Sequence, residues 1–524
     1  MTPPALRAAH DAIRRGDMAA AFSAAQAATA ESPQSAEAWW LLGTAAAGVD
    51  AFQTAEEAFA EAARNAPAGS RLRAQMLSLR GKPLMSDGRV AEAVDSAREA
   101  VAGGQADTAS LVRVSYTLTH AGLPGEALPL MLAATESDPH HAEAWYSLGS
   151  VCRAMGDIKG AEAAFKKAID LSPTPPVAAY FNLAYLRRWT PEDNHIPVLE
   201  AMACRTSLEA CRVAYTLFKE YDDLGRTEEA WDCLQVGSEL ARKIEPWSAA
   251  EEAETVAAWK AHFPPARFGR PDDRPRRGPK RIFIVGLPRS GTTLVERILA
   301  AHSQVQALGE LKTFGVVTHR LTRVETDRRL APDVVAAAAR LDPLAIADAY
   351  ARETAFLQDG HAYVIDKLPS NHEYAGLIRL AFPDAIIVAL DRNPMDALFG
   401  SYKLLFTGAY GWSYTQDDLA EHYRHFRDLM GYWKSVLGDG LIQVSLEALI
   451  ADPETEIRRL IAACGLPFED ACLSPHEAKG AVSTASAVQV RKPINAEGVG
   501  AWKRYETRLS PLRNRLRDLG FAAD

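Results

Sequence analysis

Cysteine is scarce in this chain: six in 524 residues, Cys152, Cys204, Cys211, Cys233, Cys464 and Cys472, with no pair at CxxC spacing. That scarcity excludes a disulfide scaffold and a cysteine-built metal site, and it fits a reducing compartment. Long apolar runs are also missing, since no window approaches the ~20 residues of a spanning helix. The opening MTPPALRAAHDAIRRGD has no apolar stretch of the secretory type. The expectation is a cytoplasmic protein with no membrane partner. Positive charge is not in surplus either: 58 Lys+Arg against 67 Asp+Glu give a net charge of −9. No global field is available to hold a nucleic acid, so any basic site must be local.

What is present is the balance of an ordered protein, with 48% hydrophobic and 24% charged residues. The length is roughly 3.5 typical domains, which predicts two or more folding units.

The first half repeats itself. AEAWWLLGTAAAGVDAFQTAEEAFAEAARNAP (36–67) and AEAWYSLGSVCRAMGDIKGAEAAFKKAIDLSP (142–173) align without a gap. Small residues at Gly43, Ala55 and Ala62, and again at Gly149, Ala161 and Ala168, let two helices approach closely. Trp39, Phe59, Trp145 and Phe165 then fill the gaps as core residues. Weaker copies with turn glycines at Gly16, Gly88 and Gly122 make five repeats of about 34 residues. The pattern frays after Pro173 and resumes around Gly225. It resembles the tetratricopeptide repeat, and the resemblance implies an all-α solenoid, expected over 1–260. Such a solenoid offers a concave surface to a peptide or protein partner, or else only scaffolds the second half or makes a homodimer.

Residues 261–280, rich in Pro, Gly and Arg, read as an extended linker. RIFIVGLPRSGTTLVERILAAH follows: an apolar strand, a glycine-bearing turn and an amphipathic helix starting near Thr292. This order presents a helix N-terminus to an anionic phosphate. Gly286 and Gly291 have nucleotide-loop spacing, yet Thr292 stands where a nucleoside-triphosphatase loop carries its lysine, which argues against a kinase or NTPase. Arg289 instead brings a guanidinium into the loop, and Ser290, Thr292 and Thr293 add hydroxyls. A second strand-turn-helix, AIIVALDRNPMDALFGSYK, carries Arg392 and Ser401.

Together these motifs resemble the sulfotransferase superfamily, in the branch that includes tyrosylprotein sulfotransferases. The resemblance implies an α/β domain of P-loop type with a parallel central sheet over 281–524, and the co-substrate 3′-phosphoadenosine 5′-phosphosulfate (PAPS) with no metal. It assigns Arg289, Ser290, Gly291, Thr292 and Thr293 to the 5′-phosphosulfate and Arg392 and Ser401 to the 3′-phosphate. Glu310, in LGELK, is implied as the base. Lys367, in YVIDKLP, and Ser486 are implied beside the departing group, and Lys492 over the nucleotide, with helper contacts from Arg491, Trp502 and Lys503. Lone-residue readings stay open here: Glu310 as an ion-pair partner of Arg289 or Arg297, Arg392 and Ser401 as ordinary surface and helix residues. The acceptor expected is a hydroxyl, with a docked protein or peptide tyrosine as its most specific form. The alternative is a non-catalytic interaction protein with a relic nucleotide domain.

Overall fold

The computed structural model describes residues 3–268, 278–326, 328, 330–478 and 493–524. The chain folds into two compact units, Met1–Ser172 with Ala351–Leu357, and Pro173–Tyr350 with Gln358–Asp524.

The first unit contains five helix pairs among its described residues: α1 and α2 (Pro4–Arg14, Met18–Glu31), α3 and α4 (Ala36–Gly48, Phe52–Asn65), α5 and α6 (Arg71–Ser86, Val90–Ala102), α7 and α8 (Thr108–His120, Pro124–Ser137), α9 and α10 (Ala142–Met155, Ile158–Leu171). The pairs close because glycine admits an aromatic ring. A Cβ on Gly43 would stand 2.6 Å from the Phe59 ring, and one on Gly149 2.7 Å from Phe165. Phe59 and Phe165 are buried as expected. Trp39 and Trp145 are only half-buried; their indole N–H groups donate to the carbonyls of Pro33 (2.7 Å) and Pro139 (2.9 Å), which holds one ring edge at the surface.

The second unit is built on a five-stranded, all-parallel sheet in the order β2-β3-β1-β4-β5, with β1 Lys280–Val285, β2 Val305–Ala307, β3 Tyr363–Lys367, β4 Ile386–Asp391 and β5 Leu441–Ser445. Strand alternation splits the core in two. Ile282, Ile284, Val388 and Leu390 face one cluster with Val295, Leu460 and Ile461. Phe283, Val285, Ile387 and Ala389 face a larger aromatic cluster with Tyr215, Trp231, Trp259 and Trp433. The helices Ser207–Asp223, Thr227–Ile244 and Ala249–His262 supply much of that second layer, so this stretch, read from sequence as the end of the solenoid, packs in the sheet-bearing unit. Of the expected linker, Phe263 is fully buried and Arg267 donates to the Ala339 carbonyl at 2.9 Å; residues 269–277 lie outside the described residues.

Chain order sets where a ligand can sit. After β1 the chain goes to β2 and β3 on one side, then crosses to β4 on the other, so the loops leaving β1 and β4 part at a switch point. In parallel α/β sheets this crevice at the carboxyl ends of the strands is where ligands bind.

Candidate functional site

The loop after β1 turns within six residues and needs unusual backbone to do so. Gly286 (φ 150°) donates its N–H to the Pro369 carbonyl at 3.1 Å; a Cβ there would meet the Leu390 carbonyl oxygen at 3.1 Å. Arg289 has φ 64°, a left-handed conformation that a non-glycine residue rarely adopts and that surrounding structure must impose. Ser290 Oγ donates to Leu287 O at 2.7 Å, tying the loop to itself. Gly291 (φ 97°) caps the helix Thr292–Ala300, and a Cβ would stand 2.7 Å from Leu446 Cδ1. Thr292 and Thr293 are buried in its first turn. The loop amides and the helix N-terminus thus converge on one place, the arrangement that accommodates an anion.

The loop after β4 meets it. Arg392 Nη1 donates to the Arg289 carbonyl at 2.5 Å, and a second nitrogen to the Gly498 carbonyl. Ser401 Oγ, on the helix Pro394–Tyr402, donates to Ala397 O at 3.0 Å and stands 3.4 Å from Pro288 O; it is fully buried. Burial, then the neighbouring Arg392, push the Arg289 guanidinium down to about 10. Burial also lowers Arg392 against the pull of Asp396 and Glu447. Lys403, which the motifs did not single out, is lowered by burial and, against the pull of Asp222, by Arg289, Arg504 and Arg392. Arg392 lowering Arg289, and both lowering Lys403, mark a crowding of cations that favours a bound polyanion.

The third component lies at the end of β3. Lys367 is fully buried, and its Nζ donates to Glu310 Oε1 at 2.5 Å, with Glu296 Oε2 3.7 Å away. Its backbone N–H donates to Gly309 O at 3.0 Å, which fixes the Gly309-Glu310 turn (Gly309 φ 84°) against the strand. Glu310 is thus paired with Lys367 rather than with Arg289 or Arg297. Its side chain is 38% exposed, so one side stays open to an incoming group. Tyr410 (φ 55°) hydrogen-bonds Ser370, and burial, then the charge of Glu310, raise its phenol. Beneath them, burial pushes the Asp366 carboxyl up to about 8 although the Tyr350 hydroxyl donates to it at 2.8 Å.

Arg289, Ser290, Gly291, Thr292, Thr293, Arg392 and Ser401 therefore gather at the β1/β4 crevice, while Glu310 and Lys367 meet at the end of β3. Ser486, Arg491 and Lys492 lie outside the described residues. Trp502 is buried in the aromatic core, with Lys503 Nζ 5.9 Å from its ring centroid, so the indole packs. Glu296, Lys403 and Tyr410 escaped the sequence reading. The one local sign was a carboxylate at position 296 inside the apolar face Val295, Ile298, Leu299. Among the described residues no group of three or more His, Cys, Asp or Glu could hold a metal ion, and no helix is long and apolar enough to cross a membrane.

The fold and this site define a helical-repeat unit followed by an α/β domain of P-loop type. Residues 6–70 and 120–176 match the tetratricopeptide repeat, and residues 279–470 match the sulfotransferase family. The chain thus joins tetratricopeptide repeats to a sulfotransferase-family domain. It is 28% identical over 397 residues to an uncharacterized protein of Aquifex aeolicus (strain VF5), covering 74% of this chain and 52% of that one. It is 27% identical over 249 residues to protein-tyrosine sulfotransferase 1 of Danio rerio, covering 42% of this chain and 65% of that one. The matches therefore span between half and two thirds of these two relatives. Among solved structures it is similar to the sulfotransferase domain of the Synechococcus PCC 7002 olefin synthase, with 20% identity, 48% of this chain and 99% of that one covered, and a TM-score of 0.32.

Proposed function

We propose that the chain is a PAPS-dependent sulfotransferase acting on a hydroxyl acceptor, with a protein or peptide tyrosine as the acceptor and the repeat unit, Met1–Ser172, as its docking unit. The observation that carries this reading is the Lys367 ammonium paired with Glu310 at the carboxyl edge of the sheet that also holds Arg289 and Arg392.

The residues fit such a donor. Gly286 and Gly291 let the loop close against Leu390 and Leu446 where a Cβ would not fit, and Arg392 lowers Arg289 while both lower Lys403, where two phosphate ends would neutralise them. Bound there, the donor supplies the sulfuryl group. Glu310 takes the proton from the acceptor hydroxyl as the acceptor oxygen bonds to sulfur and the bond from sulfur to the phosphate oxygen breaks. Lys367 and Arg289 hold the electron pair that leaves with the bisphosphate, and Arg392 with Ser401 fix its other end.

For docking, the repeat unit has a groove of about 640 Å³ lined by Trp39, Glu57, Arg64, Arg73, Arg80 and Glu99. Half-buried aromatic and paired charges suit a peptide of mixed charge.

Two measurements test the proposal. Thermal stabilisation by 3′,5′-adenosine bisphosphate, exceeding that by ATP with Mg²⁺, is expected. Transfer of labelled sulfate from PAPS into protein of a lysate is expected for the full chain and lost when the repeat unit, Met1–Ser172, competes in excess. Stabilisation by ATP with Mg²⁺ alone, or no transfer to any hydroxyl acceptor, overturns the reading.

A further inference from the structure

Lys367 does not have one carboxylate partner but two. Glu310 Oε1 stands 2.5 Å from its Nζ on the open side, and Glu296 Oε2 stands 3.7 Å away. The two carboxylates differ in surroundings: the Glu310 side chain is 38% exposed and that of Glu296 only 6%, while Lys367 itself is at 0%. Glu296 comes from the helix that starts at the phosphate loop, one turn beyond Thr292, so its backbone is positioned by the same segment that would hold the donor. A buried carboxylate is costly, and an aliphatic residue would serve a purely structural core position better. Its placement calls for a use.

We propose that Glu296 is a positioning residue for sulfuryl transfer, holding the Lys367 ammonium from behind so that it stays charged and aimed when Glu310 gives up its own negative charge.

This rests on the transferase reading above. In that reaction the proton of the acceptor hydroxyl goes to Glu310, which becomes neutral at the moment the sulfur-to-phosphate bond breaks and its electron pair leaves with the bisphosphate. A lysine with Glu310 as its one partner would lose its counter-charge in a fully buried place, where an unpaired ammonium is disfavoured. Glu296 supplies the second negative group, and Lys367 can turn toward the leaving oxygen without becoming an isolated buried cation. The charged groups bearing on Glu296 are Lys367 from β3, Glu310 from the turn after β2 and Arg297 from its own helix; Asp366 on β3 feels it in turn. Burial raises the Glu296 carboxyl, Lys367 opposes that and Glu310 adds to it, so the two carboxylates share one cation.

The test is Glu296→Gln in the full chain, read as kcat and KM with PAPS and a phenolic acceptor. The expected result is a kcat roughly 10- to 100-fold lower with KM for PAPS changed by less than about threefold. Glu296→Asp, which keeps the charge, should hold kcat above about a fifth of the unaltered value with KM again nearly unchanged, and it serves as the readout if the glutamine variant does not fold. A folded glutamine variant that keeps more than about a tenth of the unaltered kcat, or an aspartate variant that falls below about a fifth of it, overturns the assignment while leaving the transferase reading intact. Absence of transfer by the unaltered chain overturns both.

Discussion

Lys367 Nζ and Glu310 Oε1 lie 2.5 Å apart although 57 residues separate them in sequence. The strand end carrying the lysine and the turn carrying the glutamate are locked together by the Lys367 N–H to Gly309 carbonyl bond. A base and a cation are thus presented side by side before any ligand arrives.

Replacing either partner should therefore separate chemistry from binding. Glu310→Gln is expected to reduce turnover by roughly 10²-fold or more, as for loss of a general base, with bisphosphate affinity nearly unchanged. Single-turnover kinetics alongside calorimetry check this; unchanged turnover would remove Glu310 from the role.

Arg392 acts twice, as a cation and as a brace on the Arg289 carbonyl. Arg392→Ala should weaken bisphosphate binding roughly 10- to 100-fold, about 1.4 to 2.8 kcal/mol. Arg392→Lys should recover only part of it, because a lysine cannot hold the Arg289 and Gly498 carbonyls together. Full affinity in the alanine variant would show that the second anionic end sits elsewhere.

Stability should vary with pH through the buried groups Asp366, Glu373 and His372; Glu373 is raised from 4.5 to about 8 by burial and then by Glu252, and adds to the slope of Asp366. Asp366 is raised from 3.8 to about 8 by burial, so its contribution is full below the ordinary carboxylate value and is lost as pH rises through 8. His372 is lowered from 6.5 to about 4, by burial and then by His422; its contribution is present above 6.5 and lost as pH falls through 4. Between those values the two slopes oppose. Above 6.5 Asp366 acts without that opposition, at up to about 1.4 kcal/mol per pH unit. Melting temperature should fall from pH 6.5 to 8, and Asp366→Asn should remove part of that fall, Glu373 keeping the rest.

The groove of the repeat unit gives a test of docking that spares the chemistry. Arg73 pairs with Glu99 at 2.7 Å and also donates to the Ala63 carbonyl at 2.9 Å, and Arg64 pairs with Glu61 on the same wall. Arg64→Glu with Arg73→Glu should lower transfer to a protein acceptor at least tenfold and leave transfer to a free phenol within about twofold. Equal loss for both acceptors would assign the groove a structural role.

Much of the site was legible because it is local. A buried strand, two glycines at fixed spacing and a helix N-terminus occupy one continuous stretch, so Arg289, Ser290, Gly291, Thr292 and Thr293 could be read as a unit. The repeats were legible for a similar reason: a glycine facing a phenylalanine sixteen residues on is a contact that recurs with the sequence period. The half-exposed Trp39 and Trp145 were harder, since a ring that packs on one face and donates its N–H to a proline carbonyl looks like core in composition.

The sequence alone determined that helical repeats precede a strand-loop-helix able to hold an anion, because both are written in short-range periodicity and turn chemistry. Only the tertiary structure decided which strands flank β1, which unit takes the helices over residues 177–262, and that Glu296, Lys403 and Tyr410 join the site. Parallel strands are connected through long crossovers, so side chains at their ends meet by topology, and no spacing along the chain encodes which of them will share one buried charge.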